Sequence, residues 1–137
     1  MKKLLLFVLL SSSTIYAQDK KFTIGYLAGA GYSFNYGAWI GYKKIGIEYV
    51  QGTANPQLVA QATDYRNIGI NYHINDNGFF IGGGVQRVYD NSITNVPYAS
   101  FGIDRKFGHN DSYAFRGEVI TGSQGYTTLN VGLGLNF

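Results

Sequence analysis

The feature that most constrains this chain is a two-residue alternation that recurs eight times between Phe22 and Phe137. The last stretch is the clearest. Leu129, Val131, Leu133, Leu135 and Phe137 share one parity, and Asn130, Gly132, Gly134 and Asn136 share the other. Successive side chains of a β-strand point to opposite faces, so each parity is one face. The pattern also runs through residues 22–31, 36–42, 45–50, 67–74, 79–86, 98–104 and 113–119. It is weakest over 79–86, where both parities carry a Phe. No helical period competes with it. The connections alternate in kind. Lys43-Lys44 and residues 75–78 and 108–112 form one set; residues 33–35, 52–62, 90–95 and 122–125 form the other. This predicts an all-β chain, a transmembrane up-and-down antiparallel barrel of eight strands with both termini on one side.

The two faces differ sharply. One is apolar at every strand centre and carries no charge there. The other carries Glu48, Asn71, Gln86, Asp104, Arg116, Glu118 and Asn130. A soluble lipid-binding barrel would turn the apolar face inward; a membrane barrel turns it outward. Glycine separates the two. Most of the 19 glycines take the polar parity, Gly25, Gly37, Gly69, Gly102 and Gly132 among them, and only Gly83 and Gly117 take the apolar one. The interior of an eight-stranded barrel is just wide enough for side chains. Glycine there leaves room for Trp39, Phe80 and Tyr98, so the polar face is expected inside. Aromatics gather at strand ends, with Phe22, Tyr42, Tyr72, Phe79, Tyr113 and Phe137 on the terminus side and Tyr32, Tyr36, Tyr49 and Tyr89 on the loop side. Two such belts suit two headgroup zones.

Ahead of the alternation, Lys2 and Lys3 precede an apolar run, residues 4–10, then three serines and Ala17. This is the pattern of a signal peptide. The run is far shorter than the roughly 20 residues of a spanning helix. The expected organisation is a signal peptide at 1–17 and a barrel domain at 18–137. Removing Lys2 and Lys3 lowers the net charge from +3 to +1, which argues against a nucleic-acid partner. The chain has no Cys, which excludes a disulfide framework, a thiolate site and a lipid-anchored lipoprotein.

Taken together, the leader, the eight alternating segments and the ending Asn130-Val131-Gly132-Leu133-Gly134-Leu135-Asn136-Phe137 resemble the small outer-membrane β-barrel proteins, OmpX-like and similar to the OmpA transmembrane domain. The resemblance implies the outer membrane of a Gram-negative bacterium, periplasmic termini, a monomer and outer-membrane lipids as surroundings. It also implies that Leu133, Leu135 and Phe137 carry the signal read by the barrel-assembly machinery. Adhesive members carry long loops; here only residues 52–62 are long, which speaks against adhesion.

Two sets of charges stand out. If Phe107 pairs with Tyr113 across the turn, Asp104 faces Arg116 directly, with Glu118 next on the same strand and Glu48 inward on another. Buried charges must be paired, so an interior ion-pair network of Glu48, Asp104, Arg116 and Glu118 is expected. Arg66 and Arg87 have the parity of the apolar face. If Ile74 pairs with Phe79, these arginines face each other about 20 Å from that turn, at about 3.3 Å per residue and with the tilt of a barrel strand. Directly opposed like charges repel. Paired guanidinium groups suit phosphate, so Arg66 and Arg87 are candidate lipopolysaccharide contacts; the alternative is two arginines snorkelling at the edge of the apolar band.

No cofactor or metal is expected. Gly82-Gly83-Gly84 lies within a strand with no helix after it, unlike a phosphate loop. His73 and His109 come from separate turns at the terminus end, and Ser100 and Ser123 have no neighbouring histidine. A structural or surface-interaction protein is therefore expected rather than an enzyme. A small-solute channel is the second reading, and a lipid A-modifying barrel enzyme or a soluble lipid-binding barrel the further ones.

Overall fold

A computed structural model describes residues 22–31, 33–54, 64–74, 78–89, 93–122 and 127–137. The signal-peptide reading, Tyr32, Ser123 and most of residues 52–62 lie outside these. The alternating segments form strands β1 (Phe22–Gly31), β2 (Ser33–Tyr42), β3 (Ile45–Ala54), β4 (Asp64–His73), β5 (Phe79–Tyr89), β6 (Ile93–Phe107), β7 (Tyr113–Gly122) and β8 (Thr127–Asn136). Each pairs with its neighbours in antiparallel order, and β1 closes onto β8. The fold is a closed, all-antiparallel barrel of eight strands. Both ends of the described chain meet at one rim, where the Phe22 and Phe137 amides each donate to the other's carbonyl, at 3.2 and 2.8 Å.

The expected registers are present. Phe107 pairs with Tyr113 and Asp104 with Arg116; Arg66 pairs with Arg87. Several strands run past the expected ends. Ser33, Phe34 and Asn35 belong to β2, Gly52 to β3, and Ile93, Thr94 and Asn95 to β6. Their polar and glycine residues have the composition of turns, yet the neighbouring strand pairs with them. Among the described residues β6 pairs with β7 from Tyr98 and Gly122 onward and with β5 as far as Ile93.

Two connections show why short links suffice. Lys43 turns β2 into β3 with φ of 54°. Gly78, at φ 85°, lies against Asp104, whose amide donates to the Gly78 carbonyl at 2.9 Å. A Cβ there would strike the Asp104 carbonyl, so glycine is required both by its φ and by the approach of β6. The 108–112 connection contains one short 3-10 turn, His109–Asp111.

Polarity is inverted relative to a soluble barrel. Asn35, Glu48, Asn67, Asn71, Gln86, Ser100, Arg116, Glu118 and Asn130 are buried, while Tyr26, Ile47, Ile68, Ile70, Leu129 and Leu133 are exposed. The soluble lipid-binding reading needs the Ile and Phe face inside, and that face points out. Inside, glycine makes the space. A Cβ on Gly25, Gly132 or Gly134 would meet the Trp39 ring, and one on Gly102 would meet Phe80. Trp39, Phe80 and Arg116 are all fully buried there.

Candidate functional site

Within the barrel, Arg116 on β7 is the centre of a charged cluster. Its Nε and Nη2 donate to the two oxygens of Asp104, each at 2.7 Å, in the bidentate geometry of the strongest charge-assisted pairs. Its Nη1 lies 3.4 Å from Glu48 Oε2 and 3.6 Å from Glu118 Oε2. The guanidinium is also held between two rings, 4.8 Å from the centre of Trp39 and 4.4 Å from that of Phe80. Cation–π contacts of this kind strengthen when water is excluded. The structure thus brings Glu48, Asp104, Arg116 and Glu118 together.

Neutral donors complete the cluster. Tyr98 Oη, Ser100 Oγ and Asn71 Nδ2 donate to Glu48 at 3.0, 3.2 and 3.0 Å. Asn130 Nδ2 donates to Glu118 at 2.8 Å. The bonds from Arg116 and Tyr98 to Glu48 join strands that are not neighbours, so they cross the lumen as struts. His73, on the polar parity of the 67–74 stretch beside the turn, ends β4 with its ring 2.7 Å from Asp104 and against Phe80. Sequence reasoning missed this partner and the Trp39–Arg116–Phe80 sandwich. The parity of each residue was legible, but their convergence depends on closure of the barrel. The cluster can neutralise charge and fill space. Ser100 binds Glu48 rather than a histidine. Among the described residues, no three His, Cys, Asp or Glu side chains gather as a metal site.

The second candidate lies on the outer wall. Successive strand pairings bring Tyr36, Gln51, Arg66, Arg87 and Asn95 into one outward-facing row across β2 to β6. Gln51 joins Tyr36 and Tyr49 by hydrogen bonds. Arg66 stacks over Tyr89 at 5.0 Å, and Arg87 Nε donates to Asn95 Oδ1 at 3.1 Å. Among the described residues neither guanidinium has a carboxylate partner. A furrow of about 460 Å³ runs beneath them, lined by Tyr49, Ile68, Val85 and Tyr89. Asn95 and Tyr89 are not legible in the sequence as partners of the arginines, because Asn95 falls in the expected connection 90–95, and the register of β5 on β6 is set by a different turn from the one that joins Arg66 to Arg87.

Leu133, Leu135 and Phe137 end the barrel. Both leucines are exposed on the outer wall, Leu133 between Tyr26 and Phe115 and Leu135 between Ile24 and Tyr113. The expected terminus-side aromatic belt stands at the strand ends, with Phe22 beside Tyr42 at 6.0 Å and Phe107 stacked on Tyr113 at 5.5 Å. On the loop side, among the described residues, only Tyr89 ends its strand, because β2 and β3 run past Tyr36 and Tyr49.

No family model matches the chain, and no curated protein matches it. Among the solved structures similar to it are two barrels. One is the N-terminal β-barrel domain of Pseudomonas aeruginosa OprF, at 15% identity and a TM-score of 0.57, over 85% of this chain and 96% of that one. The other is the de novo designed TMB2.3, at 15% identity and a TM-score of 0.55, over 88% of this chain and 98% of that one. At such identity the likeness is one of fold.

Proposed function

We propose that this chain is an integral outer-membrane β-barrel with a filled lumen and a structural or surface-interaction role. Its loop-side rim contacts lipopolysaccharide, and its termini face the periplasm. The observation that carries the reading is the inverted polarity: a band of exposed Ile, Leu, Phe and Tyr around a wall whose inner side is polar, charged and tightly packed. Water would not tolerate so large an apolar belt, and a lipid core requires one. Closure of β1 onto β8 leaves no open strand edge, the condition for a sheet in hydrocarbon. The likeness to the N-terminal β-barrel domain of OprF is one of fold and agrees with this architecture.

In this reading Arg66 and Arg87, exposed and without carboxylate partners among the described residues, meet lipopolysaccharide phosphates at the upper edge of the apolar band. Leu133, Leu135 and Phe137 form the signal for the barrel-assembly machinery, and the protein is a monomer. Membrane fractionation followed by gel migration with and without boiling tests the proposal. A detergent-extracted outer-membrane band whose mobility shifts on heating is expected. A freely soluble protein with no shift would overturn the reading.

A further inference from the structure

The outer wall is apolar around most of its girth, and the row from Tyr36 to Asn95 interrupts it on the loop side with two adjacent cations. We infer that the furrow below Arg66 and Arg87 seats one molecule of a phosphorylated glycolipid of the lipid A type. A phosphate bridges the two guanidinium groups, and one acyl chain lies along Ile68, Val85 and Gly83. The inference rests on the outer-membrane reading and turns its general contact with lipopolysaccharide into a built, one-molecule site.

Three observations carry it. First, Arg66 and Arg87 are direct cross-strand partners, an arrangement that repels until an anion lies between them. Each side chain is held by a neutral partner, Arg66 on the Tyr89 ring and Arg87 by Asn95. Among the described residues neither guanidinium has an ion-pair partner; Asp64, one row nearer the loop-side rim on the same face, accepts from Thr53 Oγ1 at 2.7 Å instead. Second, the row continues on both sides in amides and a phenol, Asn95 on one and Gln51 with Tyr36 on the other. These groups suit sugar hydroxyls beside a phosphate and have no counterpart in a bare diacylglycerol headgroup. Third, the furrow is aliphatic beneath the arginines. Along β5 the next outward position is Gly83, paired with Ala99, so only small side chains stand there, below the furrow and towards the middle of the band. A free phosphate would use the arginines and leave this floor bare. A volume of about 460 Å³ lies in the usual range for small-molecule sites.

The test is native mass spectrometry of the full-chain protein in mild detergent. Bisphosphorylated lipid A, the same lipid without phosphates, and phosphatidylglycerol are titrated in turn. One lipid A per barrel is expected, with binding at least tenfold weaker for the dephosphorylated lipid and for phosphatidylglycerol. Arg66→Gln with Arg87→Gln removes the phosphate clamp, and Val85→Trp fills the furrow; each is expected to weaken lipid A binding at least tenfold. Each variant is first checked for the boiling-dependent gel shift, and Ala99→Trp replaces Val85→Trp if the latter does not fold. If the arginine change weakens binding and the furrow change does not, lipid A adsorbs to a charged rim and the seat is overturned. Equal retention of phosphatidylglycerol overturns the choice of ligand. A wild-type barrel that shifts on heating yet keeps no lipid A overturns the site and leaves the outer-membrane reading standing; absence of the shift overturns that reading itself.

Discussion

Arg116 acts on its surroundings in three ways at once. It neutralises Asp104 through two 2.7 Å bonds, approaches Glu48 and Glu118, and fills the gap between Trp39 and Phe80. Removing one partner of a buried pair leaves the other charge unsolvated, at a cost of about 3–5 kcal/mol. Arg116→Ala is therefore expected to lower the urea midpoint of the barrel in lipid vesicles. Arg116→Lys keeps the charge, loses the planar fork, and should fall between the two. Trp39 is the only tryptophan and touches Arg116, so its emission reports unfolding directly. An unchanged midpoint in Arg116→Ala would show that the cluster adds nothing to stability. Glycine offers a matched comparison. A side chain on Gly132 would meet the Trp39 ring and the Tyr26 carbonyl, each at 2.6 Å, whereas one on Gly117 meets Phe115 and Ile103 at ordinary distances. Gly132→Val is expected to lose about 1–3 kcal/mol, as overpacked cores do, and Gly117→Val about 0.5 kcal/mol or less. Equal losses in the two variants would mean that the interior has slack around the ring.

Among the elements, β4 and β5 carry both the outer furrow and part of the interior cluster, so their register matters most. Ile68 faces Val85 in this pairing. Opposed residues on antiparallel strands have Cα atoms about 4.5–5.5 Å apart, within disulfide reach. With no native Cys to interfere, the double variant Ile68→Cys with Val85→Cys should oxidise to an intrachain bond seen as altered mobility on a non-reducing gel. Ile68→Cys with Gly84→Cys should not, because position 84 turns inward. Cross-linking of the second pair instead would mean a register slipped by one residue. That register was legible from the sequence because period two is local: once Ile74 meets Phe79 across a short turn, every later pair follows. The strand ends were less legible. Asn35, Gly52 and Asn95 belong to residue types that favour turns, and only a neighbouring strand holds them extended. In the site, the Asp104–Arg116 pairing could be counted from the turn. The approach of Trp39, Phe80 and His73 could not, because those contacts cross the lumen between strands that never pair and depend on how the sheet closes.

For the whole molecule the question is whether the lumen conducts. Eight strands enclose a space that side chains fill; open aqueous channels appear at about 16 strands. Here the filling is specific. Trp39 occupies the room that Gly25, Gly132 and Gly134 leave, and Phe80 the room left by Gly102. Arg116 and Tyr98 reach across to Glu48, so opposite walls are tied together at mid-lumen. An ion on its way past this cluster would have to part a buried guanidinium from its carboxylates and from two aromatic rings at once. The purified protein in a planar bilayer is therefore expected to give no large stable steps under voltage, although its band on a gel still shifts on boiling. Large, long-lived steps from a heat-modifiable preparation would show that the struts part readily. The small-solute channel would then replace the structural role, while the barrel and its outer furrow would remain as described.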